Sequence, residues 1–203
     1  MIAKDLILQN ERVRLEPLAF AHAADLFVAG NDDAVWNKAG RSNQMATIDG
    51  THLYIAEALY GTPEVPAGVP FAVIDRQTGK AIGSTRYFDI SYDHARLEIG
   101  WTWIAQAQWR TAINTNCKFL LLQYAFEHAQ MNRVQFKADA ENDRSRAAIS
   151  RLGATYEGTL RDLRILEGKI RSVSYYSILG SEWPEIKQRL LAFLSARSGA
   201  VEA

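Results

Sequence analysis

Residues Leu97–Phe126 read LEIGWTWIAQAQWRTAINTNCKFLLLQYAF. The first eight residues alternate as a β-strand does, a polar connection follows, and from Thr111 the apolar residues fall at helical spacing. That pattern runs on to Gln130 and is the longest helix of the chain, after which RVQFKAD (Arg133–Asp139) returns to strand. A strand, a long helix and a second strand form a crossover, and a right-handed crossover lays its two strands parallel. The rest of the sheet has to be built around that pair.

Before the crossover, RVRLEPL (Arg12–Leu18) reads as a strand and AFAHAADLFVAGND as a helix ending near Gly30 and Asn31. A second helix spans Thr47–Leu59. The stretch YGTPEVPAGVP that follows, with three prolines and two glycines, is a loop and a candidate lid. FAVIDRQTGKAIGSTRYFDI and ARLEIGWTWI supply three strands in a meander. After the crossover come the helix RSRAAISRLG, the strands TYEGTLRDLRI and RSVSYYSIL, and a last helix with Ser181 as N-cap and Pro184 in its first turn. Antiparallel strands that give way to strand–helix–strand–helix–strand predict a mixed α/β (α+β) fold, mostly antiparallel, with one parallel junction. Ligands of such sheets sit where strand ends open.

With 203 residues, 48% of them hydrophobic, the chain has the size of one domain spanning residues 1–203. Its 23 Lys and Arg balance its 23 Asp and Glu, which argues against nucleic acid or an anionic membrane as partner and makes any anion site a local one. One cysteine, Cys117, allows no internal disulfide. With no leader-like N-terminus and no apolar run of about 20 residues, a cytoplasmic location is expected.

Strict alternation in LEIGWTW puts Leu97, Ile99, Trp101 and Trp103 on one face and Glu98, Gly100 and Thr102 on the other. Glu98 is then open to two readings. One is a solvated sheet-face carboxylate, which the strand alone favours; the other is a partly desolvated base with a raised pKa. The connection into the long helix offers unpaired N–H groups and a positive dipole end to a phosphate, with Arg110 as a local cation, while Asn114 or Thr115 can simply cap it. In ENDRSRAAISRLG, Asn142 is a good N-cap and Gly153 takes the C-terminal glycine position. Ser145 stands where a capping box has glutamate or glutamine, free to turn its hydroxyl toward the gap between the parallel strands.

RVRLEPL, LEIGWTW, NRVQFKADAENDRSRAAISRLGATYEGTLR and YYSILGSEWPEIKQRL, in this order, resemble the GNAT superfamily of acyl-CoA-dependent N-acetyltransferases, in the branch of the ribosomal-protein N-terminal acetylating enzymes. The resemblance implies a sheet of about seven strands that splays between the fourth and fifth, counted from RVRLEPL, with the pantetheine arm of acetyl-CoA in the opening. It assigns coenzyme contacts to the backbone of Trp103, Ile104 and Ala105, to the pyrophosphate loop of Arg110, Thr111, Ala112, Ile113, Asn114 and Thr115, and to Asn142. Trp109, Ala112 and Asn114 depart from the family's glutamine-or-arginine and glycine positions there, and Ala112 has to accept a glycine-like conformation. Glu98 matches the general base, and Ser145 lies near the thioester sulfur. The acceptor implied is a primary amine, on a peptide N-terminus or a small molecule, with no metal.

His22, His52, His94 and His128 lack ligand spacing, and there is no nucleophile elbow, Walker or dinucleotide glycine pattern. Cys117 reads as core. Trp36 and Tyr175 or Tyr176 either line the acceptor pocket or pack in the core. A coenzyme-binding or regulatory protein of the same fold is the alternative function. A homodimer through an edge strand, taken to be RSVSYYSIL, is the expected assembly.

Overall fold

The computed structural model describes residues 1–37, 42–63 and 66–198. Its strands are β1 (Leu8–Gln9), β2 (Val13–Pro17), β3 (Val69–Asp75), β4 (Ala81–Ser91), β5 (Arg96–Ile104), β6 (Arg133–Asp139), β7 (Thr155–Leu166) and β8 (Lys169–Leu179). The helices are α1 (Ala23–Gly30), α2 (Asp33–Asn37), α3 (Ile48–Tyr60), α4 (Ile113–Gln123), α5 (Asp143–Leu152) and α6 (Trp183–Ser198). One sheet runs in the order β1-β2-β3-β4-β5-β6-β8-β7, and every junction is antiparallel except β5–β6. The eighth strand, beyond the seven expected, is the two-residue β1, too short for a periodicity to show. Among the described residues no helix is long and apolar enough to cross a membrane.

Both faces of the sheet are covered. Leu15, Phe71, Tyr87, Leu97, Ile99, Val134, Phe136 and Ile178 pack on one face against Ile113, Cys117 and Leu121 of α4, Ile149 of α5 and Trp183 of α6. On the other face, Ala72, Ile74 and Trp103 meet Leu26, Trp36, Tyr54 and Ile55 from α1, α2 and α3. The unbroken apolar run FAVI in β3 follows from this, since alternate residues feed opposite cores.

Four expectations need correction. The long helix is regular only to Gln123, and Tyr124–His128 continue it as a π-type turn. The last helix starts at Trp183 rather than being capped by Ser181; the Glu182 carboxylate accepts the Leu179 N–H. RSVSYYSIL is β8, an interior strand between β6 and β7, so the edge is β7. Strand alternation fails at Trp101. Between Ser84↔Trp103 and Arg86↔Gly100, β5 carries one residue more than β4, and Trp101 sits at φ 51, in the left-handed region. This is a β-bulge, which bends the strand and re-aims side chains. Beyond it Trp103 joins the α3-side core, and Thr102 turns to α4, where its hydroxyl accepts from Lys118 Nζ at 2.6 Å.

The β5–β6 ladder is short. It pairs Arg96↔Arg133, Leu97↔Val134 and Glu98↔Gln135 and then stops, so two strands that begin side by side part just before the bulge. This is the expected splay.

Candidate active site

A cleft of about 1520 Å³ opens where β5 and β6 part. It is larger than the roughly 300–1,000 Å³ of most small-ligand sites and has room for a long ligand. Glu98, Ser145, Asn142, Trp103, Ile104, Arg110, Thr111 and Asn114 of the predicted set all line it. Ala105, Ala112, Ile113 and Thr115 do not, though they flank residues that do.

Glu98 is only 2% exposed, which overturns the solvated reading. Its Oε2 accepts from Gln135 Nε2 at 3.0 Å and pairs with Lys137 Nζ at 2.6 Å, both from β6. Burial lifts the carboxyl above the ordinary carboxylate range; the bonds from Lys137 and Gln135 pull it back only in part. The Phe88 ring fills the space beside Gly100, since a Cβ on Gly100 would lie 2.7 Å from Phe88 Cε1. Because of the bulge, Trp101 and Trp103 stand on the same side of the sheet as Glu98. Trp103 Nε1 donates to the Tyr54 hydroxyl at 2.9 Å, and Arg86, 3% exposed, stacks on Trp101 at 4.6 Å.

Asn142 caps α5 as expected: its Oδ1 accepts the Ser145 N–H at 3.1 Å, and Gly153 closes the helix at φ 100. Ser145 Oγ makes no hydrogen bond to the described residues and faces the cleft. Replacing Asn142 with alanine should lower the unfolding free energy by about 1 kcal/mol, read from the urea midpoint, through loss of this cap.

The α4 start differs from the expectation in detail. Its N-cap is Ala112, in an ordinary right-handed conformation (φ −78, ψ −6), whose own side chain caps nothing; Thr111 Oγ1 accepts the Ile113 N–H at 3.3 Å, and Asn114 and Thr115 lie inside the first turn. The left-handed residue is Arg110, at φ 62. The Asn114 and Thr115 N–H groups are left open at this helix start. Cations that sequence reading missed surround them. Arg151 of α5 reaches Thr115 Oγ1 at 3.5 Å, Arg197 of α6 donates to the Arg110 carbonyl at 2.7 Å, and Arg144 of α5 lies 3.8 Å from the Trp109 ring centroid. Each is far from the loop in sequence, so no local signal marked it. On the strand edge, Ile104 carbonyl accepts from Trp109 Nε1 and Ala105 N–H donates to Ile82 carbonyl, both at 2.9 Å. A ligand N–H pairing with the Ile104 carbonyl either shares that oxygen with the Trp109 indole or displaces it.

Trp36 and Tyr175 line the cleft, whereas Tyr176 lies in the core and accepts from Arg146 Nε. Cys117 is buried, its thiol pushed up to about 12, as befits packing. Pro66 and Ala67 of the candidate lid line the cleft; Glu64 and Val65 lie outside the described residues.

An open seam in a mixed sheet, with a cation-ringed helix start at one end and a buried carboxylate at the other, is the architecture of an acyl-transfer fold. The family model for the acetyltransferase (GNAT) domain matches residues 12–155, and the chain belongs to the GNAT acetyltransferase family. It is 34% identical over 105 residues to YdaF of Bacillus subtilis (strain 168), named as a candidate ribosomal N-acetyltransferase; the match covers 52% of this chain and 57% of YdaF. A candidate acetyltransferase from T. thermophilus superposes with a TM-score of 0.84 at 35% identity, covering 96% of this chain and all of the other (100%). A GCN5-related N-acetyltransferase from Brucella melitensis gives a TM-score of 0.85 at 29% identity, over 94% of this chain and 86% of that one.

Proposed function

We propose that this chain transfers an acetyl group from acetyl-CoA to a primary amine by direct attack, with Glu98 as the general base. The observation that carries this reading is the buried Glu98 carboxylate, held above its ordinary pKa at the point where two parallel strands separate. The pyrophosphate lies on the backbone from Arg110 to Thr115, where Arg110, Arg151 and Arg197 supply the charge that the chain as a whole lacks. Asn142 Nδ2 faces the pantetheine, and Ser145 Oγ donates to the departing thiolate. Glu98 takes a proton from the acceptor ammonium, the neutral amine attacks the thioester carbonyl, and the coenzyme leaves as thiol. The acceptor is a peptide N-terminus or a small-molecule amine.

Calorimetry with acetyl-CoA, followed by turnover against a panel of peptides and small amines, tests this. Binding with turnover supports it; binding without turnover on any amine makes the chain a coenzyme-binding protein of the same fold; no binding at millimolar acetyl-CoA ends it. Arg110→Ala should weaken binding and flatten its salt dependence, since one screened cation is lost. A symmetric pair formed through the true edge strand β7, where Leu160, Leu163 and Ile165 are exposed, should appear in sedimentation at tens of micromolar, roughly where a standard-size interface holds.

A further inference from the structure

Lys137 is placed as an acceptor would be. It sits on β6 two residues past Gln135, where the β5–β6 ladder ends, and lines the cleft. Its ammonium is 2.6 Å from Glu98 Oε2, 6.0 Å from the centroid of Phe88 and 5.2 Å from that of Tyr175. A buried carboxylate and two aromatic rings make a seat for an ammonium ion. The side chain is 31% exposed against 3% for its partner, so the amine end retains freedom to move while the carboxylate does not. Among the described residues the other lysine lining the cleft is Lys118, held by Thr102 on the α4 side of the sheet, away from Glu98.

We infer that Lys137 is an internal acceptor, acetylated in cis by the acetyl donor bound in the same cleft. The inference rests on the acetyl-CoA reading above. Glu98 removes one proton from the Lys137 ammonium and passes it to solvent. The neutral Nζ attacks the thioester carbonyl carbon, the N–C bond forms and the C–S bond breaks. The second proton from nitrogen goes to the coenzyme sulfur, which leaves as thiol. The product, an amide on Lys137, carries no charge, so Glu98 loses its ion pair and the seat opens to an external ammonium.

The test is incubation of the full chain with acetyl-CoA and no acceptor, read by intact mass and by peptide mapping, alongside calorimetric binding of acetyl-CoA. One acetyl group on Lys137, formed at a rate independent of protein concentration, is the expected result. Lys137→Arg should abolish it, and Glu98→Gln should slow it by about 100-fold or more, with acetyl-CoA still bound. Acetyl-CoA binding without modification of Lys137 overturns the inference and leaves the donor reading standing. Acetylation spread equally over the exposed Lys4, Lys80 and Lys169, and persisting in heat-unfolded protein, is chemical background and also overturns it. Absence of binding removes both readings together.

Discussion

Replacing Glu98 with glutamine lowers turnover by about 10²- to 10⁴-fold, the usual cost of losing a general base, with acetyl-CoA affinity and fold retained. The amide is isosteric and still accepts from Gln135, so the seam between β5 and β6 keeps its shape. Lys137 loses its counter-ion, but with 31% of its side chain exposed it can turn to water. The native rate should rise with pH through a value above the ordinary carboxylate range, because burial favours the neutral acid. Removing the cation with Lys137→Met takes away the main force that lowers this pKa, so the acidic limb should move to higher pH. A Glu98→Gln enzyme whose turnover matches the native enzyme's at every pH would remove Glu98 from the mechanism. Ser145→Ala should cost less, since a thiolate is a tolerable leaving group and water can take the place of the hydroxyl.

Lys118→Met should make the protein more stable at neutral pH. Lys118 is 5% exposed on α4 and takes part in no ion pair among the described residues; its hydrogen bond is to Thr102 Oγ1. Burial lowers its pKa from 10.5 to about 8. An unfolded chain still binds this proton between those two values while the folded one does not. The penalty is therefore complete below about pH 8 and fades as pH rises toward 10.5. Its size at pH 7 is about 3 kcal/mol, against which loss of the Thr102 bond sets about 1 kcal/mol. Urea unfolding should give a net gain of about 2 kcal/mol at pH 7, and the native protein's rise in stability between pH 8 and 10.5 should be absent from the variant. Equal stability slopes in both proteins across that range would show that Lys118 is not buried as a charge.

Much of the fold is written in local pattern. RVQFKAD is β6 from its first residue to its last, and Asn142 and Gly153 bound α5, because an N-cap side chain and a left-handed glycine act within a few residues of the backbone they stop. The crossover was legible for the same reason, since helical and strand periods are properties of the chain itself. Glu98, Asn142 and Ser145 were singled out through the family resemblance, and all three line the cleft.

Other features were decided only when distant segments met. A period-two reading assumes that no residue is inserted, so the bulge at Trp101, which depends on pairing with β4, was invisible; with it went the side of the sheet taken by Trp101, Thr102 and Trp103. Strand order was hidden too: β8 lies inside β7 because it carries the buried Val173, Tyr176 and Ile178, a competition between two neighbouring strands for one place on the sheet. The arginines around the α4 start come from α5 and α6, and the Glu98–Lys137 pair spans the seam itself. The sequence determined which backbone elements form and where they stop, because those choices rest on neighbours in the chain. Tertiary structure alone decided which charges share the cleft, because burial and Coulomb interaction depend on distance in space.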